Sequence, residues 1–270
     1  MSLLWPNQLQ VALSAKGASV IALSSDIEKT EQKQAFTATT QKENTVDWQS
    51  ASASLETLLS SLQAKTNTNL SIILSSDFVR VQLLPAQKIS MNSAEKLAYA
   101  AAAYKDIYGS DMDSWIIKSH ETGFNQISIV AAIDKRLLEE LQQVSQQHQI
   151  KLASVQPYLM DAYNRCKKQL GKLHGYFAAI EVSKILLLNM RQGQVQNLQT
   201  SAIGSDWQQD LKQLLQRESM LNIVTDKNVL VYAAADQNIH KIEGWHVVRA
   251  NATPKPVVTA GHFATIKAAA

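Results

Sequence analysis

The stretch YFAAIEVSKILLLNMRQGQVQNLQT, residues 176–200, decides the fold class of this chain. It holds three runs with strand character, at 176–181, 184–190 and 194–200. Gln192-Gly193 separates the last two, and a glycine at that place is typical of a tight turn between antiparallel strands. The stretch therefore predicts a three-stranded antiparallel meander.

The N-terminal part of the chain shows a similar order of elements. Two apolar runs flank a turn at Gly17, which predicts a β-hairpin, and an edge strand is expected at 35–40. Asp47 is the expected N-cap of a helix whose apolar residues recur at helical spacing. Further strands are predicted at 70–74, 78–84, 115–118, 126–131, 152–155, 229–233 and 246–249. Further helices are predicted at 93–108 with a stripe of Leu97, Ala101, Tyr104 and Tyr108, after Asp134, from Pro157, and after a capping box of Ser205 and Gln208.

A meander followed by helix and strand thus occurs twice, at about 8–80 and 175–235. A supersecondary unit that appears twice in one chain favours two related lobes of an α/β protein, with mixed sheets flanked by helices. We place the first lobe at 1–156 and the second at 157–270.

Composition sets the class of protein. The 270 residues are 46% apolar and 18% charged, as in ordinary globular proteins, and the net charge is +3. Cys166 is the single cysteine, so no disulfide can form within the chain, which fits a reducing compartment. The N-terminal residues lack a secretory-signal pattern, and no apolar run reaches the roughly 20 residues that span a bilayer. We therefore expect a cytoplasmic protein without a membrane span.

Basic residues are scattered, with one local concentration at Arg165, Lys167, Lys168 and Lys172. These residues lie at the end of a predicted helix, where cations complement the helix dipole. The alternative is a patch that binds nucleic acid or lipid, and we favour the dipole interpretation.

Three segments resemble a known family. Residues 70–85 resemble a strand pair, 152–165 a strand-to-helix crossover, and 178–193 the opening hairpin of a second lobe, in PilM of type IV pilus machines. They are also similar to the cytoplasmic part of GspL from type II secretion and to MSHA-pilus proteins. The resemblance implies a two-lobed actin-like, ribonuclease H-like fold, shared with actin and the sugar kinases.

In that superfamily, each lobe opens with a hairpin whose Asp-x-Gly turn handles magnesium and phosphate. Here the first hairpin reads Val11-Ala-Leu-Ser-Ala15, and residues 1–25 contain no carboxylate. The second reads Glu181-Val-Ser-Lys184, with serine in place of glycine. The loop expected to hold adenosine reads Ala233-Ala-Ala235 in place of a glycine pair. We therefore expect no catalytic, cofactor-binding or metal-binding residues and no cofactor.

The resemblance then implies a non-catalytic scaffold or docking protein of a pilus or type II secretion assembly. Its expected partner is a short cytoplasmic segment of an inner-membrane protein, with no nucleic acid, at a cytoplasmic site peripheral to the inner membrane. Because this sequence shows no membrane helix, unlike GspL, the PilM-like arrangement is favoured. The alternative is a divergent ATP-binding ATPase or small-molecule kinase, for which Glu181 and Asp77 are the best surviving acids.

Other reactive residue types are expected to be structural. Cys166 lies mid-helix and is expected to be a structural cysteine, packed or half-exposed, while Asp111 and Asp113 are expected in a solvated loop. The six histidines do not fall at the spacing of metal ligands. Four tryptophans are expected to pack in the core, whereas Trp5 is expected to dock on the body of the protein or on a partner.

Overall fold

The computed structural model describes residues 7–15, 17–22, 31–35, 48–62, 68–120, 126–221, 226–233 and 238–251. Several predictions fall outside these ranges: Trp5, the N-cap Asp47, the turn at 121–125, the loop at 234–235 and the tail from 252.

The N-terminal sheet has five strands in the order β3-β2-β1-β4-β8. Its first three strands form an antiparallel meander, and β4 and β8 then add in parallel. The edge strand covers 31–35, earlier than the predicted 35–40, because those residues are the ones in register with β2. The strands are β1 (Asn7–Ser14), β2 (Gly17–Ala22), β3 (Glu31–Ala35), β4 (Thr68–Leu74) and β8 (Lys151–Pro157).

The C-terminal sheet repeats this topology, in the order β11-β10-β9-β12-β13. Again an antiparallel meander is extended by two parallel strands. The strands are β9 (Gly175–Ile180), β10 (Lys184–Arg191), β11 (Gln194–Ala202), β12 (Asn228–Tyr232) and β13 (His246–Arg249). The meander predicted from 176–200 is therefore confirmed.

A third sheet is antiparallel, and its strands come between β4 and β8 of the N-terminal sheet in sequence. It has the order β5-β7-β6, from β5 (Val79–Leu84), β6 (Trp115–His120) and β7 (Ser128–Asp134). We call it the small sheet. One of its faces is covered by α2 (Ser93–Tyr108), and the other contributes to the cores under the two larger sheets.

Four more helices cover the large sheets. Both α1 (Trp48–Leu62) and α3 (Lys135–Gln147) pack in the core of the N-terminal sheet. The C-terminal sheet carries α4 (Tyr158–Leu170) in one core and α5 (Trp207–Leu221) in another. Side chains of β9 alternate between these two cores, so the strand is buried on both faces.

Helix α2 has the predicted ends but not the predicted face. Asn92 and Glu95 form a capping box, which is a strong signal for the N-terminus of a helix. The buried residues are Ala100 and Tyr104, whose hydroxyl lies 2.8 Å from the carbonyl oxygen of Val130. The predicted stripe is wrong at Leu97, which is 47% exposed, and at Ala101, which is also exposed, because α2 rests on one sheet and buries a narrow strip.

Two other local predictions need correction. The N–H of Gln208 donates to the side chain of Asp206, 2.9 Å away, so Asp206 and not Ser205 caps α5. The Gln208 side chain is engaged elsewhere, since it accepts from the N–H of His240. Pro157 ends β8 and is the N-cap residue of α4, one position before the predicted first turn.

Candidate functional site at the junction of the two large sheets

One of the turns that the resemblance assigns to phosphate handling, between β9 and β10, meets the segment after β4 where the two large sheets adjoin. In the N-terminal sheet, the N–H of Ser75, just after β4, donates to the carbonyl oxygen of Leu13 near the end of β1 (2.9 Å). In the C-terminal sheet, the turn between β9 and β10 closes with the N–H of Glu181 donating to the carbonyl of Lys184 (2.9 Å). The site is thus formed by the ends of central strands from both sheets.

Glu181 spans the junction. Its carboxylate accepts from the Ser75 hydroxyl at 2.7 Å, the Ser76 hydroxyl at 2.9 Å and the Ser76 N–H at 3.0 Å. The residue is buried, with 7% of its surface exposed. A turn of one sheet is therefore held by an acid from the other.

Burial raises the pKa of the Glu181 carboxyl, because a charge withdrawn from water is disfavoured. The hydrogen bonds from Ser75 and Ser76 act in the opposite direction without cancelling that rise. The nearby charge of Asp77 adds to it.

Asp77 makes the second contact across the junction. Its carboxylate lies 2.8 Å from the Lys184 ammonium and 3.2 Å from the Ser183 hydroxyl, which donates to it. Burial alone would raise the pKa of Asp77, but the hydrogen bonds and charge from Lys184 and the two serine hydroxyls outweigh burial and lower it. We call Ser75, Ser76, Asp77, Glu181, Ser183 and Lys184 the bridging cluster.

The charge of the bridging cluster opposes phosphate. With both carboxyls ionised, two negative charges face the one ammonium of Lys184, so the cluster carries a net negative charge. The side-chain and backbone donors that could bind an anion are already engaged by Glu181. Ser183, at the position where the resemblance expects a glycine, adds a side chain to the turn, and its hydroxyl is engaged by Asp77.

Helix α4 is hydrogen-bonded to the strand that leads into the bridging cluster. The Tyr158 hydroxyl donates to the carbonyl of Ile180, the residue before Glu181, at 2.7 Å. Two turns further along α4, Arg165 donates to Asp161 at 2.7 Å and to Gln10 of β1 at 3.1 Å. Burial raises the pKa of Asp161, and the charge of Arg165 offsets that rise in part. The helix is therefore bonded to both large sheets.

The two acids singled out in the sequence, Glu181 and Asp77, do come together. Sequence reasoning missed the serines and Lys184 that hold them. The signal available was Ser75-Ser76-Asp77 directly after a buried strand, where polar side chains collect at a sheet edge. Of the three departures from the nucleotide-binding pattern, the alanine loop lies outside the described residues beyond Ala233.

The remaining candidates lie away from this site. Cys166 is packed in the core, where burial raises the pKa of its thiol to about 12. Asp113 is exposed and pairs with Lys105 at 3.6 Å, but Ser110–Ser114 form a short 3-10 helix in place of the expected loop. Trp245 is buried, and three other tryptophans pack at the edges of the cores: Trp48, Trp115 and Trp207.

The described residues contain no group of three or more His, Cys, Asp and Glu side chains placed to hold a metal ion. Within the same part of the chain, no helix is both long and apolar enough to cross a membrane.

Comparison with known proteins identifies the fold. No protein-family model matches the sequence, and no curated protein matches it significantly. Among solved structures, the cytoplasmic domain of EpsL, an inner-membrane component of the type II secretion system of Vibrio cholerae, aligns with a TM-score of 0.55 and 13% identity. The alignment covers 90% of this chain and 89% of that domain.

Two further structures agree. A chain of the PilM–PilN type IV pilus biogenesis complex gives a TM-score of 0.59 at 10% identity, over 83% of this chain and 80% of that one. A Bacteroides thetaiotaomicron protein with an actin-like ATPase fold gives 0.52 at 15% identity, over 86% and 84%. At such identities the likeness establishes the fold, and it confirms the predicted fold class: this chain has the actin-like fold seen in the EpsL cytoplasmic domain and in the PilM–PilN complex.

Proposed function

We propose that this chain is a non-catalytic, actin-like scaffold or docking protein of a pilus or type II secretion assembly. The bridging cluster carries the proposal. Glu181 lies in the turn that the resemblance assigns to phosphate handling, and its buried carboxylate takes the hydrogen-bond donors of Ser75 and Ser76. A site with its own anion in position disfavours a second one.

The similar solved structures support the proposed kind of assembly, a pilus or type II secretion complex. One similar structure belongs to an inner-membrane secretion component and another to a pilus biogenesis complex of two proteins. For this chain we propose a short cytoplasmic segment of an inner-membrane protein as the partner, and a cytoplasmic position peripheral to that membrane. The division into lobes at 1–156 and 157–270 stays part of the proposal.

A thermal-shift titration with magnesium and ATP tests the loss of nucleotide binding. A ligand at about a thousand times its dissociation constant stabilises the folded state by about 4 kcal/mol, which is readily measured. We expect no shift at millimolar nucleotide. A saturable rise in melting temperature would overturn the proposal.

Docking is tested by affinity capture from detergent-solubilised membranes of the source cell. We expect an inner-membrane protein of a pilus or secretion system to be retained, and retention to be lost on competition with its cytoplasmic segment. Recovery of soluble metabolic enzymes alone would count against docking.

A divergent ATPase is the second candidate, and one observation favours it. Glu181 and Asp77 lie together at the junction, and the raised pKa of Glu181 is of the kind that general bases show. If this candidate holds, the wild type releases phosphate from magnesium–ATP and Asp77→Asn does not. The scaffold proposal expects no release from either protein.

A further inference from the structure

One end of the C-terminal sheet, opposite the bridging cluster, gathers several chain segments. Strands β9, β12 and β13 all begin there, since Tyr176 pairs with Val229 and Asn228 with His246. Helix α4 ends there too, because the carbonyl of Leu173, three residues after it, accepts from the N–H of Gly193 at 3.0 Å.

Helix α5 ends on the same side of the molecule. Strand β11 ends at Ala202, paired with Lys184 beside the bridging cluster, whereas β12 begins at the opposite end of the sheet. Helix α5 links these two strands in sequence, so it runs toward the end where β9 and β12 begin. Because α4 and α5 pack in different cores of the sheet, their ends are spread across this side.

Five cationic side chains are exposed at this end. None of the five forms an ion pair with a described residue. They are Lys167, Lys168, Lys172, Arg191 and Lys227. We call this set the basic end. It includes three of the four cations that we had assigned to the helix dipole.

The fourth cation has a different role. Arg165 pairs with Asp161 inside the molecule, and its side chain is 14% exposed. On the acidic side of the balance, Asp226 is paired with His174, while Glu243 is exposed in the turn before β13. The end therefore keeps a clear excess of positive charge.

Two apolar side chains are exposed at the same end of the sheet, on the other helix layer. Met220 and Leu221, at the end of α5, are 85% and 71% exposed. Single exposed apolar residues are ordinary in soluble proteins, but two in succession at an end that also carries exposed cations are typical of surfaces that lie on a bilayer.

We propose that the basic end binds the headgroup surface of an anionic phospholipid bilayer. The cations meet the negative surface potential, and Met220 and Leu221 enter the boundary between headgroups and acyl chains. A flat partner suits groups that are spread across the ends of two helix layers. Duplex nucleic acid would use the charges but would gain nothing from the two apolar side chains.

Co-sedimentation with lipid vesicles tests this proposal, using the whole purified chain and no protein partner. Its outcome is therefore independent of the docking proposal. We expect binding to vesicles of equal parts phosphatidylglycerol and phosphatidylcholine, little binding to phosphatidylcholine alone, and loss of binding at high salt. Equal sedimentation with both vesicle types, or with neither, would overturn the proposal.

Charge substitutions locate the surface. Lys167→Gln, Lys168→Gln and Lys172→Gln together should weaken binding roughly a hundredfold, at about fivefold for each cation. The matched control carries the same loss of charge on distant elements, as Lys88→Gln, Lys105→Gln and Lys135→Gln, and should bind within about twofold of wild type. Equal weakening in both triple variants would show that net charge and not this surface governs binding.

The apolar contact is tested by Met220→Ser with Leu221→Ser. Both residues are exposed, so the change should leave the melting temperature unaltered. Vesicle binding should fall about tenfold. Unchanged vesicle binding by this variant would show that the apolar side chains do not contribute and would overturn the bilayer proposal. Tight, salt-dependent binding of duplex DNA by the same variant would instead assign the basic end to a purely electrostatic partner.

Discussion

Ser76 and Glu181, which are 105 residues apart, are joined by three hydrogen bonds. The N–H of Ser76 donates to both carboxylate oxygens, at 3.0 and 3.1 Å, and its hydroxyl donates to one of them at 2.9 Å. This contact fixes the β9–β10 turn against the end of β4.

Glu181→Ala should destabilise the fold. The N–H and hydroxyl of Ser76 would lose their acceptor and the Ser75 hydroxyl would keep only Asp77, at 3.1 Å, and lost hydrogen bonds of this kind cost about 1–3 kcal/mol. Urea denaturation measures the loss in free energy of unfolding. Glu56→Ala, at an exposed position of α1, is the control and should change stability by less than about 0.5 kcal/mol. Equal effects from the two variants would show that Glu181 does not hold the junction.

Glu181 should also make stability depend on pH in a defined direction. Its folded pKa lies above the ordinary 4.5, so the folded state binds the proton more tightly than the unfolded state. That contribution is present in full below pH 4.5 and is lost as pH rises through the folded pKa. The stability of wild type relative to Glu181→Gln should therefore fall as pH rises from 4.5 through the folded pKa.

The difference in unfolding free energy between wild type and Glu181→Gln, measured at each pH, reports the contribution of Glu181. Asp77 works in the opposite direction, since its lowered pKa gives stability that is lost as pH falls, but it is present in both proteins. A constant difference in unfolding free energy across this range would contradict the assignment.

The pair of Arg165 and Asp161 should behave as a buried ion pair. Arg165→Met leaves an uncompensated carboxylate that is 6% exposed, at a cost of about 3 kcal/mol. Adding Asp161→Asn removes that charge and should recover part of the loss, as thermal or urea unfolding would show. If the double variant were as unstable as the sum of the two single variants, the residues would act independently.

Two glycines allow a matched test of packing. Gly193 and Gly244 have nearly the same positive φ, 77° and 78°, so alanine costs each about 1–2 kcal/mol in backbone strain. At Gly193 a Cβ would also lie 2.5 Å from the carbonyl oxygen of Gly171, whereas at Gly244 nothing lies within 4 Å. Gly193→Ala should therefore lose at least about 1 kcal/mol more than Gly244→Ala in unfolding free energy.

Much of the fold is predictable from local signals. Asn92, Glu95 and Gly109 mark the ends of α2, and Gln192-Gly193 marks the β10–β11 turn, because caps and tight turns are decided by neighbouring residues. The buried face of α2 was predicted less well. Its partner is a narrow sheet formed by residues distant in sequence, so helical spacing alone could not separate Ala100 from Leu97.

The candidate site was predictable only in part. Both acids could be named because the resemblance pointed to the β9–β10 turn and the strand end at Asp77. Their mutual position could not be named, because it depends on how two sheets that are separate in sequence pack around α4. The role of Arg165 was missed for the same reason, since Gln10 lies 155 residues away.

The bridging cluster has a mechanical consequence. The two large sheets are fastened to each other by the chain's own side chains, so no ligand has to arrive for them to close and no reaction has to occur for them to part. Separation of the two sheets therefore requires an external force on one of them, or protonation of Glu181, to break these hydrogen bonds and the Asp77–Lys184 ion pair.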